Sequence, residues 1–242
     1  ARAGFLRSAV AAAAIAIAGA MPVSAAYAQD AADLARIEQL QGEADALLDA
    51  GRYGEAEAVA RAIREIAERA FGEDDPRAVN MLANHAEVLR HLGRLDEAEA
   101  IYRRVVALYD AILPDGHIDR AISLNNLAEV TRLLGRIDEA EALHRRALAI
   151  YQRLLPAGDP VVAASMNNLA GVLEQAGRLD EAEGLFREAL AIREEALPPD
   201  DPDIALNLTN LAVVLQHLSR MDEAERLHRR ALAIYETALP EN

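Results

Sequence analysis

The apolar residues of the stretch 202–218 fall at Ile204, Leu208, Leu211, Ala212, Leu215 and Leu218, steps that put them on one face of a helix. Ala140, Leu143, Ala147, Leu148 and Tyr151 draw a second face of the same kind. Such paired patterns return every 42 residues. The blocks Gly93–Leu134, Gly135–Ala176 and Gly177–Leu218 align without a gap, a weaker copy starts at Gly51, and a partial one starts at Ser219. A strict period of this size in helical patterns predicts an all-α solenoid of about five antiparallel helix pairs. The pairs are expected at approximately 29–71, 76–113, 118–155, 160–197 and 202–239.

Polar and special residues punctuate that pattern. Asp75-Pro76, Asp159-Pro160 and Asp201-Pro202 offer a carboxylate cap followed by a proline in the first turn. His117-Ile118 takes their place in one copy, so that helix start is less well signalled. Gly51, Gly93, Gly135 and Gly177 fit left-handed helix ends, and Ser219 stands at the same place at some cost. Asp96, Asp138, Asp180 and Asp222 are expected to cap the second helices. Pro114, Pro156, Pro198 and Pro240 close the modules.

Alanines recur at Ala86, Ala128, Ala170 and Ala212 on first helices, and at Ala56, Ala98, Ala140, Ala182 and Ala224 on second helices. Small residues at fixed places on both partners predict closely packed antiparallel pairs. The Arg pairs 103-104, 145-146 and 229-230 look like a basic stripe. Glu99, Glu141, Glu183 and Glu225 each precede an Arg by four residues, however, which predicts a solvated face laced with ion pairs.

The recurring NNLA, G-R-x-D-E-A-E, R-A-L-A-I and L-P/D-P segments resemble tetratricopeptide (TPR) repeats, of the long kinesin-light-chain-like kind. The likeness covers roughly Gln29–Asn242. It implies a right-handed superhelix whose concave groove, lined mostly by first helices, binds a peptide or partner protein. In that family one first-helix position faces the groove, and here it holds Asn84, Asn126, Asn168 and Asn210. An amide offers both a donor and an acceptor, so such a row can pair with the backbone of an extended peptide. The competing reading is a structural Asn bonded to a neighbouring turn. Four mid-helix Asn at one phase oppose helix propensity, which favours binding.

The preceding position, with Asn125 and Asn167, widens the polar strip. Glu87, Glu129, Gly171 and Val213 follow one turn on, with His91 and His217 beyond. That strip runs from acidic to apolar and suits a ligand with a basic segment followed by an apolar one. No Lys or Arg sits at the positions that clamp a C-terminal carboxylate in some TPR proteins; Arg90 and Arg132 fall beside the strip. The first module departs from the pattern. Gly42 holds the row position, and Glu38, Gln41, Glu43 and Asp45 make its helix 31–50 polar, as a cap facing water would be. The last helix, 221–239, keeps the apolar face of an internal one, including Leu227, Leu232 and Ile234. It is a candidate surface for homodimerisation or for docking a partner, unless the gene product is truncated.

Composition narrows the partner and the compartment. Residues 1–28 carry Arg2 and Arg7, a short apolar run over 9–20, and Ala26-Tyr27-Ala28 before Gln29. This reads as a secretory signal peptide, with a cut after Ala25 or an uncleaved anchor as alternatives. Its removal takes the net charge from −15 to −17. So acidic a chain opposes binding to nucleic acid or an anionic membrane and leaves a basic or neutral protein. The chain has no Cys and no Lys. The six His show no metal-binding spacing, and His144 and His228 stand where other copies have Tyr102 and Phe186, as packing residues would. Phosphate-loop and nucleophile motifs are missing, so no catalytic residue, metal or cofactor is expected. The expected role is a periplasmic interaction scaffold or adaptor in a Gram-negative cell envelope, not an enzyme. A sequence-tolerant holdase, or an accessory subunit docking an enzyme through the last helix, are the alternatives.

Overall fold

A computed structural model describes residues 25–238 of the 242-residue chain, with side chains described over 31–237. Nearly all of the expected signal peptide, and Pro240, lie outside the described residues. Ten helices and no strand occur among the described residues. They run as α1 (Ala25–Asp49), α2 (Tyr53–Phe71), α3 (Pro76–His91), α4 (Leu95–Ile112) and α5 (Ile118–Leu133). Then follow α6 (Ile137–Leu154), α7 (Pro160–Gln175), α8 (Leu179–Ala196), α9 (Pro202–His217) and α10 (Met221–Ala238). The chain divides into two compact units, the first ending at Pro114 with α1–α4 and the second starting at Asp115 with α5–α10.

Within each unit a helix packs on the helix before it and the helix after it. The cause lies in the alanines. Ala86 on α3 and Ala98 on α4 have no exposed surface, and neither have Ala128 and Ala140, Ala170 and Ala182, or Ala212. With only a methyl at these points, the backbones of a pair come close enough for larger neighbours to interlock. Tyr102, Tyr109 and Phe186 are buried on the flanking turns. In the first unit Ile37, Leu40, Ile63 and Met81 join α1, α2 and α3. In the second, Ile204 and Leu208 of α9 meet Ala231 and Ile234 of α10. Each such buried aliphatic side chain contributes about 2 kcal/mol.

Helix starts follow two different rules. First helices are capped as the sequence predicts: Asp75, Asp159 and Asp201 accept from the backbone N–H of Arg77, Val161 and Asp203 at 2.9, 2.8 and 2.9 Å. The weakly signalled start of α5 is capped too, because His117 Nδ1 accepts from the Asp119 N–H at 3.2 Å. Second helices depart from expectation. Their N-cap residues are Arg52, Arg94, Arg136 and Arg178, none with a side-chain cap. Asp96, Asp138, Asp180 and Asp222 lie inside the first turn, facing the positive end of the helix dipole rather than capping it.

The reason is that one Arg backbone serves two helices. The Arg178 N–H donates back to Leu173 O at 2.9 Å, and its carbonyl accepts from the Ala182 N–H at 3.1 Å. The turn is too tight to leave an Asp outside the second helix. It depends on a left-handed residue, and Gly51, Gly93, Gly135 and Gly177 have φ between 70° and 80°. Ser219 holds φ 62° at the same place.

α1 is longer than expected, beginning at Ala25 instead of residue 31. Glu38 and Glu43 are exposed, as a water-facing cap requires, whereas Gln41 is buried and its amide lies 3.5 Å from Met81 Sδ.

A left-handed conformation strains any residue with a Cβ. Ser219→Gly is therefore expected to stabilise the protein by about 1 kcal/mol and raise the thermal midpoint by a few degrees. Thermal unfolding followed by circular dichroism checks this, and an unchanged or lower midpoint contradicts it.

Candidate partner-binding face

The Asn positions fall in both units. Asn84 lies on α3 of the first unit, and Asn126, Asn168 and Asn210 lie on α5, α7 and α9 of the second. All four are half-buried. In the second unit the row is knitted sideways. Asn168 Nδ2 donates to Asn125 Oδ1 at 3.3 Å, and Asn210 Nδ2 donates to Asn167 Oδ1 at 3.2 Å. Each bond joins one module to the next. Both structural and binding readings therefore have a physical basis: one donor of Asn168 and of Asn210 holds modules together, while the amide oxygen of each is an acceptor that bond does not use. Asn167 is almost wholly buried, at 9% exposure, and belongs to the support of the row.

Asn125 also anchors a histidine. His144 on α6 is buried, and its Nδ1 lies 2.8 Å from Asn125 Oδ1. A carbonyl oxygen only accepts, so Nδ1 carries a proton in this bond. Burial lowers the His144 pKa to about 4. The residue packs as expected for a position shared with Tyr102 and Phe186, and in addition it positions an Asn. His228 is half-buried, its Nε2 3.4 Å from the Gln216 amide.

The charged residues expected in the strip are occupied by their own chain. Glu87 accepts from Arg90 Nε at 2.9 Å and from the Tyr102 hydroxyl at 3.0 Å, with His91 Nε2 at 3.2 Å. His91 is in turn stacked on Tyr53 at 5.2 Å between ring centres. Burial and Glu87 together push the Tyr102 hydroxyl well above its ordinary pKa. Glu129 accepts from Arg132 at 2.7 Å, and His217 Nδ1 lies 3.2 Å from Glu174. The Arg residues beside the strip are thus ion-paired at its edge.

The sequence reading missed apolar residues on the same helices. Ile122 and Leu206, one turn before Asn126 and Asn210, are 42% and 44% exposed. Ile118, Leu133 and Val161 are exposed as well. Their signal was present, since each breaks the apolar periodicity of its helix. The last helix moves the other way. Ile234 is buried against Ile204 and Leu208, and Leu227 packs on the same cluster. Of the three residues expected on the C-terminal surface, only Leu232 is strongly exposed, at 57%. The other two are held inward because α10 must cover α9.

Ion pairs dominate the outer face of the second helices. Glu141 accepts from Arg145 at 2.9 Å and from Arg178 at 2.6 Å, and Glu183 accepts from Arg187 at 2.9 Å and Arg220 at 2.6 Å. Burial pushes both carboxyls up, but these hydrogen bonds outweigh it and hold them below the usual range. In the first unit Glu57 is buried, 2.7 Å from Arg61 and 3.1 Å from His85 Nε2. Burial lowers the His85 pKa despite that carboxylate. Among the described residues no cluster of His, Asp or Glu side chains could hold a metal ion, and no helix is long and apolar enough to cross a membrane.

With this geometry in view the comparisons can be read. A family model described as "Tetratricopeptide repeat" matches residues 32–111, 77–153 and 161–237, most of the chain. The chain is a tetratricopeptide-repeat protein. No curated protein matches it. Among solved structures it is similar to a Podosopora anserina protein described as kinesin light chain with nearly identical TPR-like repeats. That match has 23% identity and a TM-score of 0.70, over 85% of this chain and 98% of that one. BtubC (BKLC) from P. vanneervenii matches with 22% identity and a TM-score of 0.71, over 90% and 95% of the two chains. MamA matches with 16% identity and a TM-score of 0.54, over 81% and 95%. At these identities the likeness concerns the fold. TPR repeats are typically non-enzymatic and generally bind protein partners, which is consistent with an interaction scaffold.

The two buried histidines make this TPR protein sensitive to acid. The unfolded chain binds their protons near pH 6.5, whereas folded His144 resists protonation down to about 4. Stability is thus complete above pH 6.5 and falls as pH drops towards 4, by roughly 3 kcal/mol for His144 alone. His144→Phe is expected to flatten that slope in the second unit. Chemical denaturation at neutral and mildly acidic pH checks it, and an unchanged slope in the variant contradicts it.

Proposed function

We propose that this TPR protein is an interaction scaffold whose second unit binds an extended, neutral or basic segment of a partner protein across α5, α7 and α9. The observation that carries the reading is the amide row Asn126, Asn168 and Asn210, flanked by exposed Ile122 and Leu206. A buried or half-buried amide needs partners, and a partner backbone supplies one donor and one acceptor per residue. The chain's net charge of −15 favours approach of a basic or neutral protein and repels nucleic acid. Glu129 is held by Arg132, so the partner's orientation along the row follows from the exposed aliphatic residues and not from that carboxylate.

The working place we assign is the periplasm of a Gram-negative cell, on the strength of the Arg2–Arg7 start, the apolar run and the Ala26-Tyr27-Ala28 segment. Expressed with an initiator Met in such a host, the protein is expected in the periplasmic fraction with Gln29 as its first residue. Intact mass from that fraction checks this; a full-length cytoplasmic product contradicts it.

For the binding reading, a photo-crosslinking residue in place of Leu206 reports what lies on the face. One discrete envelope protein is expected, and its yield should fall about tenfold or more when Asn126, Asn168 and Asn210 are all changed to Ala. Equal yield from the triple variant contradicts the reading. A broad set of unrelated products, lost together in that variant, would turn the scaffold into a holdase.

A further inference from the structure

Inside each unit the joint between one module and the next carries an ion pair of fixed design. An Arg at the turn grips a Glu of its own second helix and sends Nη1 back to the second helix before it. Arg178 holds Glu181 in this way and reaches Glu141 at 2.6 Å. Arg220 holds Glu223 and reaches Glu183 at 2.6 Å. In the first unit Arg94 holds Glu97, and its Nη1 stands 3.8 Å from Glu57. The period leaves one half of this pair open at two places. Arg52 grips Glu55 through Nε and Nη2, yet no carboxylate among the described residues meets its Nη1. Glu225 accepts from Arg229 at 2.5 Å, where Glu141 and Glu183 each accept from two Arg. The Glu225 side chain is accordingly 60% exposed, against 15% for those two.

Apolar positions repeat the match. Leu190 of α8 packs on Ile204, Ala205 and Leu208 of α9, whereas Leu232, one period later on α10, is 57% exposed. Met221 is 58% exposed where Leu179 is half-buried. On the Arg52 side, Val88 of α3 clusters with Ala56 and Ala60 of α2. Ala46, one period earlier on α1, is exposed and borders a hollow with Glu43, Leu47, Arg52, Ala58 and Val59. Arg36, Gln39 and Glu43 are exposed on α1 at the places where α9 buries Ile204, Asn207 and Leu211. A face this polar suits a reversible partner that brings charge and a few aliphatic groups.

We propose that α10 of one copy docks on α1 and α2 of a second copy, head to tail, with Glu225 of the first accepting from Arg52 Nη1 of the second. Met221 and Leu232 leave water at this joint. Glu43 adds a carboxylate there, and Arg52 and Arg229 are both at hand to meet it. The contact is heterologous: each copy keeps one half free for a further copy, so assembly runs on with concentration. A two-fold contact of α10 with itself would leave Arg52 unused. The joint involves none of the Asn row and stands whether or not that row seats a partner.

Sedimentation velocity of the full chain at rising concentration tests this. The mean mass is expected to grow past that of two copies. Arg52→Glu and Glu225→Arg should each weaken association about tenfold or more, because each sets like charges against one another. The variant carrying both changes, with the pair reversed, should regain most of the association. Circular dichroism confirms that each variant is folded. A monomer at every concentration overturns the proposal. So does a species that stops at two copies, or one that Arg52→Glu leaves unchanged. Single losses that the double reversal fails to recover overturn the Arg52–Glu225 pairing.

Discussion

Two helices can approach only as closely as their smallest facing residues allow, and here those residues are alanines. Ala128 and Ala140, or Ala170 and Ala182, are completely buried. A longer side chain at any of them would part the pair and cost the dispersion contacts of every neighbour. The aromatic residues on flanking turns fill the space that close approach creates. Because within each unit a helix touches mainly its neighbours in sequence, no helix there buries its apolar face alone. The first helices are thereby set parallel to one another in the second unit, and the Asn row exists only as a consequence of that order.

Charge fixes how one module meets the next. The Arg that closes a first helix through its backbone reaches with its guanidinium to the Glu of the preceding second helix, as Arg178 does to Glu141 and Arg220 to Glu183. These pairs are largely exposed on the Arg side, so each contributes little to stability. Their effect is on register: a Glu held by two Arg from two modules leaves few alternative alignments. Sideways bonds between Asn side chains serve the same end on the opposite helices.

Much of this was legible because the repeat multiplies each signal. One Asp-Pro is weak evidence, but three at a constant period located α3, α7 and α9 to the residue. Features that depend on a neighbour across the stack were not legible. Asp96 and its counterparts have the composition of caps, yet the turn places Arg94 there, since its backbone must bond both helices. Ile234 reads as an outward apolar residue until α10 is seen to cover α9. Glu87 looks available for a ligand until Arg90, Tyr102 and His91 are seen to converge on it. Arg193 stands where other copies have Tyr109 and Tyr151, and only the structure shows it buried, donating to Asp203 O and Asn207 Oδ1.

The Asn residues divide accordingly. Asn207 is fully buried and donates to Phe186 O at 2.9 Å, so it is structural. Asn126, Asn168 and Asn210 are half-buried, and they are the residues to which the account assigns a partner. The side-chain amide resonances of Asn in isotope-labelled protein, followed by nuclear magnetic resonance as a peptide selected on the full chain from a random display library is added, separate the two groups directly. The account predicts that the amides of Asn126, Asn168 and Asn210 shift together at the peptide's binding affinity while that of Asn207 stays still. Binding that leaves those three resonances unmoved would contradict it.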